Sequence, residues 1–507
     1  MSSITADLID DELSKKEPSE ETYIADGVSG HPKQLALLFF TEMWERFSFY
    51  GMRALLVLFM VHQLKYADTK ANLIYGTYTA LVYLMPLFGG MAADKILGYR
   101  RAIILGGALM AAGHLILAIP AEWSFFAGMA FLISGNGFFK PNISTMVGRM
   151  YRPGDARRDG AFSIFYMGVN LGAAIGGLVC GYIGQEINWH YGFGLAGIFM
   201  IVGLITFLIG QKSLGHIGLV PKDDKGKTVE FSKQGLVYGA SLLIIPLFIF
   251  LFNHYTIMGS IMFPLCLIAV IAMVVLAFQQ EKKARDMMLT AIVLVVFSTM
   301  FWAFYEQGGG SLNLFTERNV NTFGLPAAAV NNFINPFYII LLSFPFAWMW
   351  LALAKRNQEP SDPMKFAISF LQLGGGFLLF VVGAKLATSD GRVSFFWYAF
   401  GYLLLTTGEL CLSPIGLSMI TKLSPVRYTG MMMGFWFLAS ALGQHLAGLI
   451  GTLMAVPSEG GETTVSAVES LSIYSHVFMQ IFYISIIGGI VLLILVPTLK
   501  RWSHGVK

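Results

Sequence analysis

The sequence predicts an all-α, polytopic membrane protein with about fourteen membrane-spanning helices. Charged residues make up only 13% of the 507 residues and apolar residues 55%, whereas ordinary globular domains contain about 25% charged residues. Several apolar runs also reach the roughly 18 residues that are needed to cross a hydrocarbon core about 30 Å thick. A soluble chain of this length could not cover its surface with so few charges, so a soluble multidomain protein is excluded.

The predicted spans follow one another in three groups. The first six run between charged breaks and cover residues 35–62, 71–93, 102–120, 124–149, 161–186 and 190–210. Two more follow a linker rich in Lys and Asp and cover 235–253 and 257–279. The last six cover 288–308, 329–354, 366–387, 394–421, 430–456 and 474–498. Runs of this length indicate helices, because a membrane-spanning strand needs only about 9–11 residues.

Lys and Arg are distributed unevenly between alternate loops. Of the 34 such residues, 26 lie in the two termini and in the loops on one side of the membrane, five lie on the other side, and three lie within spans. Cytoplasmic loops carry the excess of Lys and Arg, so both termini are predicted to be cytoplasmic. The net charge of +4 therefore reflects membrane topology, and no nucleic-acid partner is expected.

A short basic turn, GGMAADKILGYRR (89–101), follows the second span and contains Asp94, Arg100 and Arg101. It resembles the signature loop of the major facilitator superfamily, with one extra residue before the basic pair. Membrane topology alone also explains a basic turn here. In the functional interpretation, pairing between Asp94 and the arginines biases the conformation of a cytoplasmic hinge.

The superfamily resemblance implies two six-helix bundles around a cavity at the membrane midplane. Two of the predicted spans are then surplus. The pair at 235–253 and 257–279 is the best candidate, because it lies between the halves and has no internal ionised residue. The chain then divides into a cytoplasmic tail, a six-helix bundle, a cytoplasmic linker with an inserted transmembrane hairpin, a second six-helix bundle and a cytoplasmic tail, at residues 1–34, 35–210, 211–287, 288–499 and 500–507.

The first span carries four charged residues on one helical face. Glu42, Glu45, Arg46 and Arg53 fall within a stripe about 100° wide when each residue advances the helix by 100°. A charge at the centre of a membrane helix costs about 2.5–3.5 kcal/mol on insertion scales. This face therefore lines a polar cavity or forms a tight ion-pair network, and it does not face lipid.

Three more charged residues stand alone in other spans: Lys140, Glu306 and Glu409. Together with the first span they give three cations and four carboxylates, so one carboxylate lacks a fixed partner. Burial favours the neutral form of such a group, which makes it a natural proton carrier. A static ion-pair network that holds the helices together is the alternative interpretation.

Five segments resemble the proton-dependent oligopeptide transporter family. TEMWERFSFYG (41–51) resembles the family motif Glu-x-x-Glu-Arg-Phe-x-Tyr-Tyr-Gly, and four further segments resemble family segments in the expected order: GNGFFKPNIST (135–145), FYMGVNLG (165–172), YEQGG (305–309) and GELCLSPIGLS (408–418). The resemblance implies a bacterial-type, proton-coupled symporter of the cell inner membrane that imports di- and tripeptides, and peptide-like drugs, by alternating access. The proton is then the coupling ion, and neither a cofactor nor an obligate protein partner is expected.

The resemblance also assigns the two ends of the peptide to opposite walls of a cavity. Arg53 and Lys140 resemble the pair that meets the peptide carboxylate. Asn170, Asn335 and Glu409 resemble the group that receives the peptide amine. A cavity that binds both ends of a peptide in this way selects peptides mainly by the length of their rigid backbone. It therefore accepts many different side chains between the two ends.

Two further sets of residues take their roles from the resemblance. The first set couples the proton to transport and comprises Glu42, Glu45, Arg46 and Glu306, of which Glu306 can pair with Arg53. The second set forms the walls of the side-chain pocket and comprises Phe49, Tyr50, Tyr83, Trp302, Ser413 and Trp436. Two positions depart from the family pattern. Phe49 replaces the first tyrosine of the usual pair, and Gly76 stands where animal members have a coupling histidine.

Other classes of function leave no matching pattern in the sequence. An intramembrane hydrolase would need a nucleophile or a metal, and neither His-Glu-x-x-His nor Gly-x-Ser-x-Gly occurs. No catalytic residue, metal site or enzymatic activity is therefore predicted. A transporter of the same family that moves nitrate or another small anion or metabolite stays open, since it would need the cations but not Glu409.

Overall fold

The computed structural model describes residues 30–152, 154–222, 227–413, 416–459 and 462–505. Most of the predicted N-terminal tail, residues 1–29, lies outside the described residues, as do residues 414–415 of the 408–418 segment and residues 506–507 of the predicted C-terminal tail. The described part of the chain is helical nearly throughout, as the long apolar runs predict.

The first bundle contains six long helices. They are α1 (Gln34–His62), α2 (Asp68–Ala92), α3 (Tyr99–Leu117), α4 (Glu122–Arg149), α5 (Arg157–Tyr182) and α6 (Trp189–Gly210). Short π-helical turns extend α2 at Ala93–Leu97 and α5 at Ile183–Ile187, and a 3₁₀ turn extends α6 at Gln211–Leu214. Helix α1 packs against α5 and α6, and α3 packs against α4.

A helical hairpin follows the linker and lies between the bundles, as predicted. Its first arm is divided into α7 (Phe231–Leu243) and α8 (Ile245–Asn253), and its second arm is α9 (Ile257–Phe278). Pro246 lies in the first turn of α8, where its missing N–H costs no helical hydrogen bond.

The two arms of the hairpin contact different bundles. In the first arm, the carbonyl oxygen of Ser241 accepts a hydrogen bond of 2.8 Å from the Ser134 hydroxyl of α4. In the second arm, Phe263 packs against His445 of the second bundle, with ring centroids 6.0 Å apart. The hairpin therefore bridges the two bundles.

The second bundle contains eight helical segments. They are α10 (Lys282–Tyr305), α11 (Ser311–Asn319), α12 (Ala327–Lys355), α13 (Asp362–Lys385), α14 (Phe395–Leu412), α15 (Gly416–Leu423), α16 (Thr429–Leu453) and α17 (Ala467–Trp502). Short 3₁₀ turns lie at Glu306–Gly309 and Val426–Tyr428. Before α17, the strands β1 (Ser458–Glu459) and β2 (Glu462–Thr463) form an antiparallel pair in which Ser458 is opposite Thr463.

Within the described residues, twelve helical segments are both long enough and apolar enough to cross a membrane. Helices α1 and α4 have the necessary length, with 29 and 28 residues, but their charged and polar residues make them less apolar. The predicted count of fourteen is therefore approximate. The predicted architecture of two helical bundles with a hairpin between them is confirmed, whereas the exact segment boundaries stay predictions.

The two bundles approach each other closely at two helix crossings. Helix α2 crosses α16, where a Cβ atom on Gly76 would lie 2.8 Å from the Cα of Gly448. Helix α5 crosses α12, where a Cβ atom on Gly181 would lie 2.8 Å from the backbone nitrogen of Ala329. Both crossings lie at the helix ends opposite the loops rich in Lys and Arg. We call this the far side and the other the basic side.

Candidate functional site

Arg53 and Glu306 form an ion pair between the two bundles. Arg53 on α1 donates through Nη2 to the carboxylate of Glu306, and its Nε donates to the Tyr75 hydroxyl at 2.6 Å. The two charged side chains are 13% and 7% exposed. The predicted pairing of Glu306 with Arg53 is confirmed, and it joins the bundles at the break between α10 and α11.

The glycine-rich break after Glu306 makes room for this pair. A Cβ atom on Gly309 would lie 1.8 Å from the Tyr75 hydroxyl oxygen and 2.7 Å from Nη2 of Arg53. Only glycine allows the backbone to approach so closely without displacing these side chains. The YEQGG segment therefore ends α10 and also leaves space for the Arg53 side chain.

Helix α1 holds a second charged cluster, in which two carboxylates share one guanidinium. Arg46 donates through Nη2 to Glu45 at 2.6 Å, and its Nε lies against Glu45 and 3.2 Å from Glu42. All three residues are 3% exposed or less. Oε2 of Glu42 is buried and, among the described residues, has no hydrogen-bond partner. The cluster carries one negative charge more than positive when both carboxylates are ionised, so it can accept a proton.

Lys140 on α4 carries a cation without an ion pair. Its Nζ lies 4.8 Å from the ring centroid of Tyr83, and no carboxylate oxygen of the described residues lies within 4.0 Å. A cation over an aromatic face gains only about 0.5–2 kcal/mol, so the charge stays available to an anionic ligand. The structure therefore does not pair Lys140 directly with the Glu42, Glu45 and Arg46 cluster.

Glu409 on α14 is the carboxylate that lacks a cation. Its Oε2 accepts hydrogen bonds from the Tyr305 hydroxyl and, at 3.0 Å, from the Asn335 amide. Asn335 Nδ2 also lies 2.6 Å from the Tyr305 oxygen. Among the described residues, no partner occupies Oε1, and no Lys, Arg or His nitrogen lies within 4.0 Å of the carboxylate. Neutral donors thus orient Glu409 and leave one oxygen for a ligand.

Asn170 and Ser413 are placed differently from Asn335. The Asn170 amide nitrogen donates to the Tyr166 carbonyl of its own helix at 2.9 Å, so the structure does not join it to the pair formed by Asn335 and Glu409. The Ser413 amide donates to the Glu409 carbonyl at 2.8 Å and follows the end of α14. Ser413 therefore closes the last turn of this helix.

The predicted pocket walls are aromatic residues packed against the charged groups. Phe49 is 5% exposed, and its ring lies 5.4 Å from that of Tyr50 and 5.2 Å from the guanidinium carbon of Arg46. In the other bundle, Trp302 packs edge-to-face on Tyr305 at 5.3 Å. Trp436 lies beside the start of α15, since a Cβ atom on Gly416 would lie 2.4 Å from its ring.

Comparison with known proteins decides the family. A family model described as the POT family matches residues 100–468. The peptide transporter YePEPT of Yersinia enterocolitica is 40% identical over 450 residues, which cover 83% of this chain and 88% of the relative. The chain belongs to the POT family.

Two further comparisons extend this result over almost the whole POT-family chain. Dipeptide and tripeptide permease A of Salmonella typhimurium is 32% identical over 498 residues and 96% of both chains. A crystal structure of the peptide transporter POT in complex with sulfate superposes with a TM-score of 0.81 at 35% identity, over 95% of this chain and 98% of that one. The predicted family and the major facilitator fold are confirmed, and the family is one of transporters.

The basic turn of this POT-family chain differs from the prediction. Asp94 accepts a hydrogen bond of 2.6 Å from the Tyr99 hydroxyl. Arg100 donates to the carbonyls of Ile217 at 2.7 Å and Gly215 at 2.5 Å, and Arg101 donates to the Gln234 side chain. The predicted pairing of Asp94 with the arginines is thus replaced by contacts that fasten the linker to the first bundle. The backbone carbonyls of the linker compete successfully for these guanidinium groups.

Sequence reasoning missed an ion-pair cluster on the far side. Arg318 at the end of α11 donates to Asp68 at the start of α2 at 2.5 and 2.9 Å. Beside it, Nε2 of His62 lies 2.7 Å from Glu317. We call these four residues the far-side latch. In the sequence, Asp68 and Arg318 lie between predicted spans and His62 ends the first span, so the available signal is that Arg318 is one of five Lys or Arg residues on that side.

Two further hydrogen bonds of the latch join the bundles, and a third lies within the second bundle. The Val456 amide donates to Asp68 at 3.0 Å, and Arg318 lies 3.2 Å from the Tyr474 hydroxyl. Gln185 of α5 donates to Glu317 at 2.9 Å. The latch thus joins the two bundles on the far side, as do the two glycine crossings and the ion pair between Arg53 and Glu306.

Among the described residues, no three His, Cys, Asp or Glu side chains are grouped as a metal ion would require.

Proposed function

We propose that this chain is a proton-coupled symporter that imports di- and tripeptides by alternating access. One observation carries the proposal: within the described residues, the first bundle presents a cation without a carboxylate partner, Lys140, and the second presents a carboxylate without a cation, Glu409. A zwitterionic peptide supplies the opposite charge to each. A ligand that bridges them neutralises two buried charges at once, which favours binding because unpaired buried charges are costly.

The coupling step uses the ion pair between Arg53 and Glu306. When Glu306 is protonated, it no longer holds the guanidinium, and Arg53 is released to meet the peptide carboxylate. Loss of this cross-bundle pair also weakens the closed far side. Deprotonation of Glu306 re-forms the pair and closes that side again. The cluster of Glu42, Glu45 and Arg46 provides a second place where a proton can be held beside the same helix.

The distribution of Lys and Arg supports an orientation with both termini in the cytoplasm. With this orientation the far side faces outward, and the structure corresponds to the state that is closed toward the outside. A chain of this bacterial type then resides in the cell inner membrane. Peptide-like drugs with both a carboxylate and an amine meet the same requirements as a peptide.

Transport of nitrate or another small anion is less well supported. Such an anion would neutralise Lys140 or Arg53 but would leave Glu409 without a partner. The two relatives reported above are named as a peptide transporter and as a dipeptide and tripeptide permease, which also supports the peptide proposal.

The test is uptake of labelled dialanine into proteoliposomes that contain the full chain, with and without an inward proton gradient. Dialanine should accumulate only with the gradient. N-acetyl-dialanine, which lacks the free amine, and dialanine amide, which lacks the carboxylate, should compete about tenfold less well, since a hydrogen bond to a charged group contributes about 1.5–3 kcal/mol. Nitrate should not compete.

Glu409→Gln serves as the matched variant. It should lower dialanine uptake strongly and leave the weak interaction with N-acetyl-dialanine unchanged, because that ligand has no amine to lose. Equal losses for both ligands would assign Glu409 a structural role. Accumulation that is independent of the proton gradient would reject proton coupling.

A further inference from the structure

A crevice lies outside the proposed peptide site, where the tip of the hairpin meets the first bundle on the far side. One part of the crevice is a cavity of about 360 Å³ lined by residues that include Tyr66, Lys70 and Glu122. A second cavity of about 430 Å³ shares Glu122 and Phe126 with the first and continues between α4 and α8. The two cavities therefore form one crevice with a polar mouth and an apolar floor.

The mouth carries one charge of each sign, and neither is in an ion pair. Nζ of Lys70 lies 3.4 Å from the ring centroid of Tyr66, and Glu122 accepts only a long hydrogen bond of 3.4 Å from the Tyr66 hydroxyl. Within the described residues, no oppositely charged group lies within 4.0 Å of either side chain. The tyrosine thus stands between the cation and the carboxylate.

The floor of the crevice is largely apolar, although Asn253 also lines both cavities. Phe126 of α4 stacks on Phe252 of α8, with ring centroids 5.7 Å apart. Ile249 and Ala127 continue the apolar lining into the membrane. Trp123 is 63% exposed at the edge of the crevice, and exposed tryptophan is typical of the membrane interface. The crevice is thus polar at headgroup level and apolar at acyl-chain level.

We propose that the crevice binds one phosphatidylethanolamine molecule. Lys70 binds the phosphate and Glu122 binds the primary ammonium group. The apolar floor between α4 and α8 binds an acyl chain. Charge complementarity selects a zwitterionic lipid, and phosphatidylethanolamine is favoured over phosphatidylcholine because its primary ammonium group can donate hydrogen bonds to Glu122. An anionic lipid would pair with Lys70 but would bring its negative charge close to Glu122. A peptide would pair with both charges but would leave the apolar floor empty.

The site joins the first turn of α2, the start of α4 and the hairpin arm α8. Lys70 belongs to the first turn of α2, and it lies two residues after Asp68 of the far-side latch. Glu122 begins α4, and the hairpin arm α8 forms the other wall of the apolar floor. A bound lipid therefore holds the hairpin tip against the helix that carries the latch.

The test is native mass spectrometry of the full, delipidated chain in detergent, titrated separately with phosphatidylethanolamine, phosphatidylglycerol and phosphatidylcholine. The wild type should retain one phosphatidylethanolamine molecule more tightly than either other lipid. Glu122→Gln should weaken that binding about tenfold without weakening phosphatidylglycerol. Lys70→Gln should weaken both lipids, because both offer a phosphate.

Matched controls use exposed charges on the same side of the membrane that lie outside the crevice. Glu186→Gln and Lys385→Gln should leave lipid binding unchanged. Glu122→Lys should reverse the preference in favour of phosphatidylglycerol, a gain that misfolding cannot produce.

Three results would overturn the proposal. They are equal affinity of the wild type for phosphatidylethanolamine and phosphatidylglycerol, unchanged phosphatidylethanolamine binding by Glu122→Gln, and displacement of the lipid by dialanine. The last result would identify a peptide subsite instead. None of these outcomes depends on whether the chain transports peptides.

Discussion

Removal of one charge from the far-side latch should shift the protein toward the state that is open on that side. Asp68→Asn leaves Arg318 beside Tyr474 but without its carboxylate. In the closed state that guanidinium is buried, with 10% of its side chain exposed, while Asp68 is 1% exposed. In a state open on the far side, Arg318 reaches water and loses nothing. The substitution therefore destabilises only the closed state.

The size of the effect follows from the burial of the pair. Removing one partner of a buried ion pair costs about 3–5 kcal/mol. Because Arg318 keeps the Tyr474 hydroxyl within 3.2 Å, we expect the lower end of this range. About 3 kcal/mol raises the ratio of open to closed protein about a hundredfold, since 1.4 kcal/mol corresponds to a factor of ten.

Pulsed electron paramagnetic resonance can measure this ratio. Spin labels at Glu186 and Lys385, which are exposed on the far side in different bundles, should show a larger fraction of long distances in Asp68→Asn than in the wild type. The three native cysteines are buried, which limits background labelling. Asp390→Asn is the matched control, because the Asp390 carboxylate accepts a hydrogen bond from nearby Thr388 and, among the described residues, forms none with the first bundle.

A double variant separates charge pairing from general damage. Asp68→Asn combined with Arg318→Gln removes both charges and leaves no unpaired buried ion, so its open fraction should lie closer to the wild type than that of either single variant. Strictly additive effects, or an unchanged distance distribution in Asp68→Asn, would refute the view that the latch holds the far side closed.

Three further predictions concern the site itself. Glu306→Gln mimics the protonated carboxyl permanently, so it should abolish proton-driven accumulation of dialanine but keep counterflow exchange; continued accumulation would assign the proton to the Glu42 and Glu45 cluster. Phe49→Tyr should change the ranking among polar and apolar dipeptides more than the overall turnover, as competition assays would show; an unchanged ranking would remove this ring from the pocket. Gly309→Ala should lower stability by about 1–3 kcal/mol in thermal unfolding, because the added methyl group overpacks the contact with Tyr75, and Tyr75→Phe should partly restore it; a silent Gly309→Ala would show that the break is not closely packed.

The sequence predicted those features that depend on local pattern. Long apolar runs predicted the helices, and the excess of carboxylates over cations predicted that one carboxylate would lack a cation. Among the described residues Glu409 lacks one, although Lys140 is also unpaired and Glu42 and Glu45 share Arg46. The pairing of Glu306 with Arg53 was also predicted, but from the family resemblance, because residues 253 positions apart have no local pattern that connects them.

The features that were missed depend on partners that no local pattern specifies. Asp68 and Arg318 lie at helix ends, outside the predicted spans. A charged residue in such a place is expected to face water. Arg100 found backbone carbonyls of the linker instead of Asp94, and a carbonyl carries no side-chain signature in a sequence. Such choices are decided by the packing of the folded bundles.

The hairpin that bridges the bundles has a mechanical consequence. Its first arm is fastened to α4 and its second arm to α10 and α16, so the two arms must move with different bodies whenever the bundles rock. The short turn from His254 to Thr256 joins the arms and absorbs the change in angle. Under the proposed alternating access, the hairpin would therefore resist separation of the two halves, and a stiffer turn would limit how far they swing apart.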